Sequence, residues 1–528
     1  MNSLTHNQAS EARKANGIQQ QYGPGMLLTT MSTGTRSVSE FISRLSDRLR
    51  VLFEHREASS HAAQHGLDRE FTNRVLEAQP LSVFIPERFG GRGQHVQECL
   101  SMLEACSYES LPLSLVMGIN GALFLQPLSK YGLESVQAEV FPRFLHDNAL
   151  GGLMITEPGF GSDALQMQTS AEKTAAGYRI RGTKHWGGLT GHADYWLLTA
   201  RGMNPKGDLE RNISFFTWDR SFGGIDVEEY YDSLGLHMIP YGLNRIDALL
   251  PEERKLEPRT TGVRMLLDLL HRSRLQFPGM AMGYLRRLLD EAVAHCKDRT
   301  VGGRPLFSYD QVQQRLARMQ AAFTACSGMC AFSSRAASVD KDCSVDALPA
   351  NAIKTVVTDM MQSAAQSLLQ LVGAKGYRLD HIAGSSVIDS RPFQIFEGSN
   401  DILYQQISEA VLKGMGRVRE TNLYRYLADL KLTSRVADYL KGPLSFTLET
   451  DLTQRKTVEL GKALGRIVSM DMVMQLGDQG FRKELIDNCL SVMKNDVETI
   501  LHRFSSMGSI TVIEDYREDA RWQNTLTV

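Results

Sequence analysis

The sequence predicts an α+β protein built as a helical N-domain, a middle antiparallel β domain, a C-terminal helical bundle and an additional helical tail. Three observations carry this reading. Apolar residues recur at four-residue spacing early in the chain, short aromatic and β-branched runs fill the middle, and long amphipathic stretches follow. Helices segregated from strands, with no βαβ alternation, mark an α+β assembly.

Residues 1–36 are rich in Gln, Asn, Ser, Thr and Gly, lack periodic hydrophobicity and read as a mobile arm. The helical N-domain takes 37–150. There SVSEFISRLSDRLRVLFEH sets Phe41, Leu45, Leu49 and Phe53 four residues apart, which makes one apolar stripe. LSVFIPERFGGRGQH breaks the pattern with Pro86 and a glycine cluster, a turn signal, before HVQECLSMLEAC and the stretch ending FPRFLHDNAL resume it. In the β domain, 151–258, GYRIRGTKHW, ADYWLLTAR, NISFFTWDR and IDVEEYY are separated by Gly, Asn, Asp and Pro. They read as members of a set of four to six antiparallel strands between about 153 and 251. The bundle, 259–415, contains RMLLDLLHRSRLQF, YLRRLLDEAVAHC, VQQRLARMQAAF and AIKTVVTDMMQSAAQSLLQLV, with a kink or break expected at Pro278. The tail, 416–528, adds RKTVELGKALGRIVSMDMVMQLG and DNCLSVMKNDVETILHRF.

With 42% hydrophobic and 22% charged residues, the 528-residue chain has an ordinary globular composition and can bury a core that leaves room for an organic cofactor. Fifty-eight Lys and Arg against 60 Asp and Glu give a net charge of -2, which argues against a nucleic-acid-binding face or a polybasic membrane anchor. The seven cysteines are odd in number and scattered, as expected of a reducing compartment. Cys326 and Cys330 share a helix face and read as two small buried residues, since no further Cys or His cluster completes a metal site. The polar N-terminus lacks a secretory core, and no run approaches the ~18–20 apolar residues of a spanning helix. The expected location is cytoplasmic.

Two segments carry chemistry. MITEPGFGSDAL crowds Thr156, Glu157, Pro158, Gly159, Gly161, Ser162 and Asp163 together, and its glycines and proline force an irregular loop. Either the backbone N–H groups of that loop face a ligand or the segment is simply a polar turn. It does not complete G-x-G-x-x-G, so a nicotinamide-type fold is disfavoured. RPFQIFEGSNDIL flanks Glu397 with Phe393, Ile395 and Phe396, then Gly398 and Ser399. A carboxylate among apolar side chains has a raised pKa, which suits a general base, and Gly398 lets backbone approach a substrate. The plainer alternative is a surface glutamate at a helix start, with Ser399 as its cap.

MITEPGFGSD, GTKHWGGLTGHADYWLLTAR, LQLVGAKGY and FQIFEGSNDI, in this order and spacing and together with FIPERFGGRG, closely resemble the acyl-CoA dehydrogenase superfamily over roughly 38–415. That resemblance implies one FAD per subunit between β domain and bundle, in a homodimer or homotetramer whose adjoining subunit contacts the ADP end. It implies an acyl-CoA or acyl carrier protein thioester as substrate and electron-transfer flavoprotein or another acceptor as partner, with no nucleic acid. Glu397 would remove the α-proton while the β-hydride leaves for the flavin, giving a trans-2-enoyl thioester. Its N–H would help hold the thioester carbonyl. Ser273 occupies the position that carries the base in some branches, so Glu397 has no rival there. Thr156, Gly161, Ser162, Trp186 and Gly188 would line the flavin. Arg299, Gln370 and Gly373 would serve the pyrophosphate and ADP side, and Ser399 and Asp401 would close over the cofactor. Ser162, Arg274 and Gly398 would meet the substrate.

The chain departs from the family pattern mainly around the flavin. Trp186-Gly187-Gly188 lacks the usual hydroxyl, for which Thr190 is the candidate replacement. Arg299 to Gly303 lacks an aromatic, Ala374 replaces a glycine, and Ile388 replaces the arginine before Asp389. The tail exceeds the usual family end and either covers the bundle, lengthens a subunit interface or touches a membrane. The competing readings are a flavin oxidase or monooxygenase on the same scaffold, and a non-catalytic scaffold.

Overall fold

The computed structural model describes residues 37–54, 66–204, 206–449, 451–508 and 510–525; the segment read as a mobile arm lies outside them. The N-terminal helices are α1 (Val38–Glu54), α2 (Arg69–Leu76), α3 (Val96–Glu109), α4 (Leu111–Asn120), α5 (Gln126–Tyr131) and α6 (Glu134–His146). On α1 the buried stripe is Phe41, Leu45, Leu49 and Leu52. At 3.6 residues per turn a strict four-residue spacing drifts off the face, so Leu52 replaces the expected Phe53. Phe53 instead meets Phe71 of α2 edge-on, with centroids 5.2 Å apart. Residues 111–131 are long and apolar enough to cross a membrane, yet 89% of that window is buried inside the protein, so it works here as a core element. A π turn, Gly121–Leu125, joins α4 to α5.

Seven strands form the middle sheet: β1 (Gly151–Met154), β2 (Ser170–Thr174), β3 (Gly177–His185), β4 (Tyr195–Met203), β5 (Leu209–Asp219), β6 (Ile225–Tyr230) and β7 (Gly242–Leu250). Their order is β1-β4-β2-β3-β7-β6, with β5 also on β4. The four runs singled out in the sequence are β3 to β6. The antiparallel expectation needs correcting at two pairings, because β1 and β2 both run parallel to β4. The unread strands are the short GGLM, the polar SAEKT, and β7, whose buried Asn244 and exposed Leu249 disguise a period-two pattern.

The bundle consists of α7 (Gly262–Asp298), α8 (Asp310–Ala336), α9 (Ala347–Val372), α10 (Ile382–Ser390) and α11 (Asn400–Val418). The helix α7 runs through Pro278 as one element, so of the expected kink or break the break does not occur. Continuous burial from His271 to Leu285 against α3, α8 and α9 holds it together despite the missing donor. Asp268 on α7 accepts from Lys130 Nζ at 3.0 Å, Tyr131 Oη at 2.8 Å and Arg272 Nη2 at 2.7 Å, clamping the N-domain to the bundle. Of the tail, α12 (Leu423–Asp429), α13 (Ser434–Ala437) and α14 (Lys441–Leu444) lead to α15 (Gln454–Asp478) and α16 (Lys483–Ser506). The helix α15 packs on α8, α9 and α11, and α16 packs on α8 and α15, so the tail covers the bundle. All seven cysteines are free, with Cys326 buried as expected and Cys330 partly so. Among the described residues no His, Cys, Asp or Glu grouping suits a metal ion.

Candidate active site

Between α10 and α11 the chain turns sharply through Glu397 and Gly398, at φ +52° and +92°. A glutamate in left-handed backbone is strained and persists only where surrounding contacts hold it. Three side chains do so. Arg274 Nε donates to the Glu397 carbonyl at 3.0 Å, while its Nη1 reaches Asn351 Oδ1 at 2.8 Å. Lys354 Nζ donates to the Gly398 carbonyl at 2.8 Å and to Asn400 Oδ1 at 2.9 Å. Ser273 Oγ donates to Glu397 Oε1 at 2.8 Å. The other carboxylate oxygen, Oε2, is enclosed without a hydrogen-bond partner. Phe277, Phe393 and Phe396 form an aromatic trio beside the turn, with centroids 4.9–5.9 Å apart.

Burial raises the Glu397 carboxyl above the ordinary carboxylate range, and Arg274, the Ser273 hydrogen bond and Lys354 only partly offset this. Burial likewise lowers Lys354 to about 7, aided by Arg274 and opposed by Glu397 and Asp359. Arg274, expected to meet a substrate, is buried and commits Nε and Nη1 to the protein. Its observed work is to hold the Glu397 turn. Ser399 precedes α11 but makes no side-chain cap, so the plain cap reading fails; Asp401 is exposed in the first turn.

The other half of the site lies on the β domain. Thr156 O accepts His185 N at 3.0 Å, which sets the T-E-P-G loop beside Trp186. Beneath the loop, fully buried Lys184 donates to Glu157 Oε1 at 2.8 Å and Thr199 Oγ1 at 3.1 Å. Burial lowers Lys184 to about 8, with Glu157 opposing the change. Above this anchor Gly161 and Ser162 are exposed, and a Cβ at Gly161 would meet nothing within 4 Å. Trp186 is 50% exposed, with the Tyr231 and Tyr241 rings 4.6 and 5.9 Å from its own.

The missing hydroxyl has a structural counterpart in this half, and its candidate replacement fails. A side chain at Gly188 would place its Cβ 2.6 Å from Ile119 Cδ1, so Ile119 occupies the space a hydroxyl-bearing residue needs. Nor does Thr190 supply that hydroxyl. It is buried, donates to Gly187 O at 2.8 Å and accepts from Asn244 Nδ2 at 3.1 Å.

Arg299 is exposed at the C-cap of α7. The hairpin after it turns at Gly302 and Gly303, φ +57° and +79°, where an aromatic would be strained. Gln370 and Gly373 share a groove of about 500 Å³ with Gln366, Leu369, Ala374 and Tyr377. Thus Glu397, Gly398, Ser273 and Arg274 form one cluster, Thr156, Trp186 and Gly188 a second, and Gln370 with Gly373 a third. A bridge between β domain and bundle is Leu236 N, which donates to Asp389 Oδ1 at 2.7 Å. Lys354, Asn351 and Lys184 escaped the sequence reading. A lysine inside the apolar run AIKTVV was the signal for the first, but Asn351 and Lys184 gave none.

A helical domain, a curled seven-stranded sheet and a helical bundle with a glutamate at the α10–α11 turn, its Oε2 enclosed, define the acyl-CoA dehydrogenase fold. Family models for the acyl-CoA dehydrogenase N-terminal, middle and C-terminal domains match residues 45–147, 152–248 and 260–412. The chain belongs to the acyl-CoA dehydrogenase family, a family of oxidoreductases. The mouse mitochondrial very long-chain specific acyl-CoA dehydrogenase is 24% identical over 374 residues, covering 69% of this chain and 56% of that protein. An acyl-CoA dehydrogenase of Bacillus subtilis is 25% identical over 339 residues, 63% of this chain and 87% of the relative. Among solved structures, an acyl-CoA dehydrogenase from Bacillus anthracis complexed with FAD superposes with a TM-score of 0.70 at 18% identity, covering 90% of this chain and 88% of its own.

Proposed function

We propose that the protein is an FAD-dependent acyl-thioester dehydrogenase in which Glu397 removes the α-proton of a saturated acyl-CoA or acyl carrier protein thioester to give a trans-2-enoyl product. The observation that carries this is the enclosed Glu397 carboxylate, with Oε1 held by Ser273 and Oε2 left without a partner. A base needs one oxygen fixed and the other free to receive a proton. Burial raises its pKa toward the working range, and the aromatic trio packs beside the turn. Arg274 and Lys354 hold the two carbonyls of the turn, so the strained backbone does not relax and swing the carboxylate away.

The β-domain residues fit a flavin in part. The half-exposed Trp186 ring and the open space over Gly161 suit an isoalloxazine, and Arg299, Gln370 and Gly373 suit the pyrophosphate and ADP end. The blocked space at Gly188 leaves no hydroxyl from that position. When bound, FAD supplies the two-electron acceptor for the β-hydride. The relatives named as acyl-CoA dehydrogenases support this reading, as does the FAD complex of a structural neighbour.

The test is anaerobic titration of the FAD-loaded protein with saturated acyl-CoAs of graded length, followed at the flavin absorbance band. Wild type bleaches with at least one member. Glu397→Gln keeps flavin and the Ser273 contact but slows bleaching by roughly 10²–10⁴-fold, the usual worth of a positioned base. Bleaching at the wild-type rate in that variant would remove Glu397 from the role.

A further inference from the structure

Asp359 stands on α9 and faces the same turn from outside the base. Its Oδ1 accepts Gln394 Nε2 at 2.7 Å and Asn400 Nδ2 at 2.8 Å; its Oδ2 accepts Tyr404 Oη at 2.6 Å. Gln394 lies three residues before Glu397 and Asn400 three after it, so one carboxylate grips both shoulders of the strained turn. Asn400 also accepts from Lys354, which ties this grip to the one already described. Asp359 thus accepts three hydrogen bonds on its two carboxylate oxygens.

The cation beside Asp359 comes from the tail. Arg466 on α15 places Nη2 3.8 Å from Asp359 Oδ2, with its own side chain 19% exposed. Its reach is set by unusually close packing of α15 on α11. A Cβ at Gly461 would overlap the Tyr404 carbonyl oxygen, and Ser408 Oγ donates to Thr457 O at 2.6 Å. The tail is thus more than a cover, because it brings a fixed positive charge to the carboxylate that organises the base-bearing turn.

We propose that Arg466 and Asp359 are positioning residues for Glu397, so that the C-terminal extension completes the catalytic turn. This rests on the reading of Glu397 as the base. Arg466 attracts Asp359 without touching substrate, keeps it aimed at Gln394 and Asn400, and so limits motion of the segment between them. Loss of that charge frees the turn, and a displacement of about 1 Å at a reacting group costs up to ~10²-fold in rate.

The experiment uses the full-length, FAD-loaded protein as wild type, Arg466→Gln, Arg466→Lys and Asp359→Asn. Amide hydrogen exchange is followed in peptides spanning 391–404 and, as a control, 483–506. The rate of flavin bleaching by a saturated acyl-CoA is followed against pH. Arg466→Gln and Asp359→Asn should raise exchange selectively in 391–404 and slow bleaching roughly 10- to 100-fold. Thioester affinity should hold while the acid limb of the pH profile moves, and Arg466→Lys should recover most of the rate. An Arg466→Gln protein with unchanged exchange, rate and pH profile overturns the proposal, as does exchange raised equally in both peptides, which is simple destabilisation. If no thioester bleaches even wild type, the base reading falls. The exchange measurement then still decides whether Arg466 holds the turn.

Discussion

Asp389 is a half-buried carboxylate whose neighbour in sequence is Ile388, where the family resemblance leads one to expect an arginine. Burial raises it to about 6 from an ordinary 3.8, and the Leu236 hydrogen bond and His237 only moderate the effect. The sign follows from linkage. A folded-state pKa above the unfolded one means that the group's stabilising contribution is present below about 3.8 and is lost as pH rises through about 6. At 1.36 kcal/mol per pH unit, the ionised group costs the folded state about 3 kcal/mol at neutral pH. Asp389→Asn keeps the oxygen that accepts from Leu236 N and removes the charge. Its new amide N–H₂ offsets some of the gain, by ~1–2 kcal/mol if unpartnered. The variant should therefore be more stable than wild type by about 1–3 kcal/mol at pH 7.5, a rise of a few degrees in melting temperature, and the advantage should vanish or reverse near pH 4, where the amide cost remains. Paired thermal melts across pH 4–8 read this directly. An advantage that does not depend on pH, or a loss at pH 7.5, would refute burial as the cause.

Ser273→Ala removes a hydrogen bond that favours the Glu397 carboxylate, so its pKa rises further and the acid limb of the bleaching rate moves to higher pH; stopped-flow rates against pH show it. Gly188→Thr, which by sequence alone restores a missing hydroxyl, forces Ile119 aside and should cost about 1–3 kcal/mol of stability. Adding Ile119→Val, which deletes the offending methyl, should recover part of that loss in denaturant midpoints. Gly461→Ala drives a methyl into the Tyr404 backbone and should lower the melting temperature and loosen exchange along α11, with a cost of about 1–3 kcal/mol or more.

The order of the blocks was readable because the period of hydrophobicity changes from near four to near two and back, and four strands announce themselves by aromatic and β-branched runs. The parallel pairings of β1 and β2 with β4 were not readable. Strand direction is set by which neighbours share a ladder, and neither GGLM nor SAEKT carries a mark of its partner. Pro278 does not break α7, because its local penalty is overridden by packing from three other helices. At the site, Glu397 was visible from its apolar flank and following glycine, which are local. The hydroxyl assigned to Thr190 was wrong because a nearby position in sequence says nothing of direction, and here the side chain turns inward to Gly187 and Asn244.

The base itself shows where local reading stops. Position 397 and its neighbours specify a carboxylate in a tight turn, but its chemistry depends on Ser273 and Arg274 from α7 and Lys354 from α9. Asp359, with Arg466 behind it, belongs to the same circle. These residues lie 38 to 124 positions away, and they act through one or two contacts with the turn or its shoulders, or in the case of Arg466 through Asp359. The pKa is raised because desolvation outweighs two nearby cations, a balance in which the cations alone predict the wrong direction. A glutamate in the same motif but with a solvated turn would keep an ordinary carboxylate and make a poor base. The motif therefore nominates the residue, and the packing of α7, α9 and the appended α15 around it decides whether it can work.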